Sequence, residues 1–143
     1  MSMHAYHRLY YHIVWTTKNR EAVIIAERQE WMKREIGRNS TVRQGSVHAL
    51  AVLDNHIHLC VTLPPTATLS GFIGEVKGAS SRAYNREHGG EIPLQWQRGY
   101  GAMTIRKSDL EIVIPYIENN AERHQTKKGL IPTFEKIEEA SDT

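Results

Sequence analysis

His56 and His58 lie one residue apart in the run Asp54-Asn55-His56-Ile57-His58-Leu59-Cys60-Val61. Side chains on an extended strand alternate between faces, so the two imidazoles share one face while Ile57, Leu59 and Val61 share the other. That is half of a metal site. Tyr116 and Asn120 stand four residues apart farther along the chain, which puts a phenol and an amide oxygen one turn apart on one side of a helix. Asn119 lies beside them, and Arg123 is two turns from Tyr116. Divalent ions of the Mg²⁺ or Mn²⁺ type accept such mixed oxygen and nitrogen ligands and keep positions for water or a phosphate oxygen. An ion held there would polarise a phosphodiester and leave the tyrosine as nucleophile. The same pattern also accommodates a structural histidine pair, a packed tyrosine and an asparagine at a helix end. Zinc fits the histidines too, although the only thiol, Cys60, is on the same strand and no Cys-x-x-Cys or His-Glu-x-x-His motif occurs.

These residues need a scaffold. From Leu9 to Thr17, Leu9/Tyr11/Ile13/Trp15 alternate with Tyr10/His12/Val14/Thr16, which reads as a well-buried strand. A helix is expected from about Ala26 to Arg38, ending near Gly37 or Asn39. The second strand spans about Ser46 to Leu53, and Asp54-Asn55 forms a two-residue turn into the third, Asn55 to Leu63. Thr68 caps a helix with the apolar stripe Leu69, Phe72, Val76, Ala79 and Ala83. A short strand over Tyr100 to Arg106 follows, and Ser108 opens the last helix with Glu111 in the capping-box position. Pro115 either kinks that helix or restarts it as its first residue. The order is βαββαβ: an α+β, ferredoxin-like, four-stranded antiparallel sheet with an additional C-terminal helix carrying the tyrosine. Two helices cover the face of Ile57, Leu59 and Val61. The third then belongs on the histidine face, which would otherwise be bare.

The 143 residues suit a single domain, with a core over about 7–128 and an acidic tail over 129–143. No apolar run approaches the ~20 residues of a membrane span, and the start lacks the basic head and apolar stretch of a secretory signal. One cysteine excludes an internal disulfide framework, and together these features point to a soluble protein of the reducing cytoplasm. A net charge of +2 with neutral histidines is too small to define a polyanion partner by itself. Basic residues nevertheless recur along the folded body, and a solvated surface accounts for them equally well on charge alone.

Several segments carry a resemblance. Tyr11-His12-Ile13-Val14-Trp15-Thr16-Thr17-Lys18-Asn19-Arg20 and Leu53-Asp54-Asn55-His56-Ile57-His58-Leu59 resemble the insertion-sequence transposases of the single-tyrosine HUH superfamily. Lys77-Gly78-Ala79-Ser80-Ser81 and Trp96-Gln97-Arg98-Gly99-Tyr100 extend the likeness, and Tyr116-Ile117-Glu118-Asn119-Asn120 matches the nucleophile motif. The segments span about residues 7 to 124 in the expected order. The resemblance implies that His56 and His58 bind a catalytic Mg²⁺ or Mn²⁺ ion, with Asn120 as third ligand. It also implies that Tyr116 attacks hairpin-containing single-stranded DNA, forms a 5′-phosphotyrosine and releases a 3′-hydroxyl. That hydroxyl later attacks another such linkage, so no nucleotide cofactor is needed.

A homodimer and no membrane partner are implied as well. Lys18, Arg20, Lys77, Arg82, Arg98 and Arg106 are the candidates for contacts to the DNA backbone. Asn120 departs from the glutamine usual in the mobile branch and is similar to the REP-associated tyrosine transposases. There asparagine is followed by Pro-x-Arg, whereas here Asn120-Ala121-Glu122-Arg123 keeps the arginine and lacks the proline, and His124 resembles the mobile branch. A mobile transposase, a domesticated nuclease acting on chromosomal hairpins and a non-catalytic hairpin-binding protein all fit this pattern.

Overall fold

The computed structural model describes residues 9–120 and 132–139. Arg123, His124 and the boundary near 128 lie outside the described residues. Strand β1 is Tyr10–Thr16, and β2 (Ser46–Val52) and β3 (His56–Thr62) form a hairpin around Asp54-Asn55, closed by Leu53 N–H donating to the His56 carbonyl at 2.9 Å. Strand β4 is Gly99–Ile105. The order across the sheet is β2-β3-β1-β4, with antiparallel neighbours throughout, and a two-residue strand, β5 (Glu138–Glu139), pairs with the outer edge of β4. This is the expected α+β, ferredoxin-like arrangement, with one short strand added.

Helices α1 (Ala26–Val42) and α2 (Leu69–His88) cover one face, where Met32, Ile36, Phe72, Ile73 and Val76 pack on Ile13, Trp15, Ile57, Leu59 and Val61. A fully buried aliphatic side chain contributes roughly 1.5–3 kcal/mol. A one-residue slip of β3 would expel Ile57, Leu59 and Val61 from this core and insert His56 and His58, so the register that presents the histidines is strongly specified. Helix α3 (Leu110–Glu118) packs on the opposite face through Val113, Tyr116 and Ile117 against Ala49 and Cys60. The third helix therefore lies where the bare histidine face required it.

Two expectations at helix ends are corrected, and one of the two readings of Pro115 is excluded. Helix α1 continues past Gly37 and Asn39 to Val42, because the Asn39 amide and Ser40 hydroxyl fold back onto the carbonyls of Glu35 and Ile36, each at 2.8 Å. It stops where Gln44 adopts a left-handed φ of 67°. Ser108 does not open α3. A tight 3₁₀ turn, Lys107–Asp109, comes first, and the Asp109 carboxylate accepts from the Arg106 N–H at 3.3 Å. Pro115 lies inside α3 rather than at its first position, on the exposed side, where water can serve the Glu111 carbonyl that the proline cannot reach as a donor. Thr68 caps α2 as expected, accepting from Gly71 N–H at 3.2 Å. Among the described residues no helix is long and apolar enough to cross a membrane.

Candidate active site

Strand β3 presents His56 and His58 on the α3 side, His56 nearly and His58 fully buried. Each ring is held through its Nδ1 atom. His56 Nδ1–H donates to Asn55 Oδ1 at 2.8 Å, and the Asn55 amide is oriented in turn by its own donation to the Arg20 carbonyl at 3.2 Å. His58 Nδ1 lies 2.9 Å from Nε2 of His12, a buried residue of β1. Both Nε2 atoms consequently face one spot, and there the Glu135 carboxylate stands. Its Oε1 is 3.0 Å from His58 Nε2 and 3.6 Å from His56 Nε2.

Glu135 belongs to a short C-terminal helix, α4 (Pro132–Glu135). Its other oxygen, Oε2, accepts from the Tyr116 hydroxyl and lies 3.3 Å from Asn120 Nδ2. Tyr116 is buried, with its ring edge-on to His58 and to Phe134 of α4, the centroids 6.1 and 5.1 Å away. The nucleophile candidate, the histidine pair and Asn120 thus meet around one carboxylate within a single chain. Potential ligand atoms of His56, His58 and Glu135 all lie within 4.8 Å of one another. Two imidazole nitrogens and a carboxylate fit a divalent metal ion, and the buried Asn120 Oδ1 has no hydrogen-bond partner among the described residues. Cys60, beside them on β3, is sealed under α3, and burial pushes its thiol up to about 11.

Burial, and then the adjacent His58 ring, push His12 down to about 3, so it is a neutral imidazole at physiological pH. Neither His12 nor Glu135 stood out as a site residue in the sequence. The alternation along β1 does put His12 on the histidine side of the sheet. Glu135 carries no motif and sits among other acids in the tail.

The candidate DNA contacts divide into groups. Lys18, Lys77 and Arg98 line one cavity of about 380 Å³ together with Gly78, Ser81, Leu94, Gln95 and Trp96. The Arg82 Nη1 atom lies 3.0 Å from the place a Cβ would take on Gly78, one of the lining residues. Lys77 is more than a surface cation: its ammonium donates to the Gln97 and Gly99 carbonyls at 2.8 and 3.0 Å, and burial pushes it down to about 8. Gln97 N–H donates to Thr16, and its side-chain oxygen accepts from Asn19 N–H. The segments around residues 17–20, 77–81 and 96–100 are thereby laced into one basic corner at the end of the sheet where β3 begins. Arg20 lies exposed in the 17–20 turn, while Arg106 lies at the opposite end of β4 and is paired with Asp109 at 3.3 Å.

A ferredoxin-like sheet that brings two buried histidines and a half-buried glutamate against a helix-borne tyrosine is a candidate active site. The chain belongs to the family described as Transposase IS200 like, whose pattern matches residues 5–120. Membership places it among transposases, enzymes that cut and transfer DNA. It is 27% identical over 126 residues to the ISDra2 transposase TnpA of Deinococcus radiodurans, covering 82% of this chain and 87% of that protein. Identity to the transposase for insertion sequence element IS200 of Salmonella typhimurium is 26% over 126 residues, covering 84% of this chain and 82% of that protein. A transposase structure from Deinococcus radiodurans matches with a TM-score of 0.66 at 25% identity, over 83% of this chain and 95% of the other. A REP-associated tyrosine transposase solved bound to a REP hairpin shares the fold, with a TM-score of 0.64 at 20% identity over 94% and 92% of the two chains. The family match ends at Asn120, so Glu135 lies beyond it.

Proposed function

We propose that the chain binds hairpin-containing single-stranded DNA and cuts and rejoins it by metal-dependent transesterification through Tyr116. The observation that carries this reading is the convergence of the Tyr116 hydroxyl and the Nε2 faces of His56 and His58 on one half-buried carboxylate. His56, His58 and Glu135 hold the ion, with Asn120 completing the set. Bound there, Mg²⁺ or Mn²⁺ supplies charge stabilisation to the phosphodiester under attack. Tyr116 attacks the phosphorus through its phenolic oxygen, and its proton passes to Glu135 Oε2, which already accepts it in a hydrogen bond. The P–O3′ bond breaks, the departing 3′ oxygen takes that proton from Glu135 Oε2 and leaves as a hydroxyl, and the 5′-phosphate remains on Tyr116. The reverse attack by a 3′-hydroxyl restores the phenol, so no nucleotide cofactor enters the cycle.

The basic corner formed by Lys18, Lys77, Arg82 and Arg98, with Arg20 beside it, tracks the DNA backbone, and Arg106 marks a separate contact on the far end of β4. The working form is a cytoplasmic homodimer with no membrane partner. Mobile and domesticated versions of this chemistry differ in their DNA: terminal hairpins bordering the gene mark the first, palindromes scattered elsewhere the second.

The test is incubation with 3′-labelled single-stranded DNA carrying the flanking palindromes, with Mg²⁺, Mn²⁺ or EDTA. A denaturation-resistant protein adduct that forms only with metal supports the reading. Tight hairpin binding with neither adduct nor cleavage under any metal would replace it with a hairpin-binding protein.

A further inference from the structure

We propose that His12 is a positioning residue whose Nε2 accepts the Nδ1 proton of His58 and so presents His58 Nε2 to a metal. The inference rests on the metal centre proposed above. His12 and His58 are both at least 99% buried, their rings stack with centroids 5.2 Å apart and 29° between planes, and His12 Nε2 lies 2.9 Å from His58 Nδ1. Phe134 closes over His12 edge-on at 5.1 Å. One proton must lie between the two facing nitrogens for this contact to be a hydrogen bond, and it has two possible owners.

Glu135 Oε1, at 3.0 Å, accepts when His58 Nε2 carries the proton. A neutral His58 then accepts at Nδ1 from His12 Nε2–H. A metal at His58 Nε2 requires that atom's lone pair, so the ring proton must sit on Nδ1 and be donated to His12 Nε2, with the His12 proton moved to its own Nδ1. Each ring carries one proton in both states, so the two imidazoles exchange tautomers without changing charge. His12 Nδ1 is buried and has no hydrogen-bond partner among the described residues, so nothing there holds His12 in either tautomer. The strand supplies the geometry: Val14 is opposite His58 in the β1–β3 pairing, which sets His12 one diagonal step away on the same face. Neighbours of ligating histidines that accept the second ring proton commonly change metal affinity about 10- to 100-fold when removed.

Two measurements test this. In wild-type protein labelled with ¹⁵N in its histidines, Cd²⁺ should convert His58 Nε2 from a protonated to a metal-bound nitrogen. It should also leave Nδ1 protonated, with a scalar coupling across the hydrogen bond to an unprotonated His12 Nε2. A protonated His12 Nε2 in the Cd²⁺-loaded protein would overturn the proposal.

The second is Mn²⁺ affinity by calorimetry in His12→Gln, whose Oε1 reaches the place of the imidazole Nε2 as an acceptor, and in His12→Phe, which fills the space without one. The expected result is affinity within about threefold of wild type for His12→Gln and a loss of about 10- to 100-fold for His12→Phe. Equal affinity in both, with wild-type metal binding intact, overturns the role of His12 and leaves the metal centre standing. Absence of metal binding in wild type overturns both readings. If His12→Phe fails to fold, the ¹⁵N result on the wild type decides.

Discussion

Tyr116 and Glu135 form the contact on which the proposed chemistry turns, and each is separable from the fold. In Tyr116→Phe the ring still packs against Phe134 and His58, so hairpin affinity should stay within about twofold of wild type while the protein adduct disappears. Gel shifts beside denaturing gels measure the two properties on the same samples. Glu135→Gln keeps the side-chain shape and removes the charge and the proton acceptor. Cleavage should fall roughly 10²-fold, the lower end of what a positioned base contributes, and metal affinity should fall with it. Unchanged single-turnover cleavage in that variant would remove Glu135 from the reaction. At this scale the sequence was partly legible. The His-x-His spacing and the Tyr116/Asn120 spacing each state a geometry that secondary structure enforces, and the structure brings all four residues together. Glu135 was not legible, because its approach depends on how the chain returns to the sheet, which no local period records.

At the scale of elements, the site is a strand, a helix and a short returning segment brought to one face. Gly101 shows how closely that segment returns: a Cβ on it would stand 1.9 Å from the Lys136 carbonyl oxygen. Gly101→Ala should push residues 136–139 off the edge of β4 and draw Glu135 away from the histidines. Loss of amide protection in β4 and a drop in metal affinity similar to that of Glu135→Gln are the expected readouts, with the β1–β3 pairing unchanged. Lys77 ties α2 to the start of β4 in the same way. Lys77→Met leaves the Gln97 and Gly99 carbonyls without that donor and should cost about 2 kcal/mol in chemical denaturation.

The pH dependence of that cost has a sign. Burial holds the folded pKa at about 8, below the unfolded value, so between about 8 and 10.5 the unfolded chain binds more protons than the folded one. Wild-type stability relative to Lys77→Met should therefore rise with pH across that window. The strands, the Asp54-Asn55 turn and the Thr68 cap were legible because hydrophobic alternation and local capping chemistry decide them. The ends of α1 and α3 were not, because Asn39 and Ser40 bond back along their own helix and Asp109, rather than Ser108, closes the turn before α3.

For the whole molecule, the arrangement of Tyr116 against His58 of the same chain speaks to how a homodimer would build its sites. Tyr116→Phe and His58→Ala each remove a different half of the centre. If each protomer completes its own site, mixing the two variants should restore no cleavage above either alone. Recovery toward a quarter to a half of wild-type activity would mean that the α3 tyrosine serves the partner's histidines. Sedimentation or light scattering of the same mixtures reports the oligomeric state independently of cleavage. The basic corner acts at this scale too. Charge reversal at Lys18 and Arg98 together should weaken hairpin binding and flatten its dependence on salt, with the melting temperature near wild type.

The most direct measurement is the identity of the residue that holds the DNA. Wild-type protein, Mg²⁺ or Mn²⁺ and 3′-labelled single-stranded DNA with the flanking hairpins would be reacted, digested and examined by mass spectrometry for a nucleotide-bearing peptide. A 5′-phosphate linked to the phenolic oxygen of Tyr116 is the expected result. Linkage to any other residue, or cleaved ends with no protein attached, would contradict a tyrosine transesterification at this site.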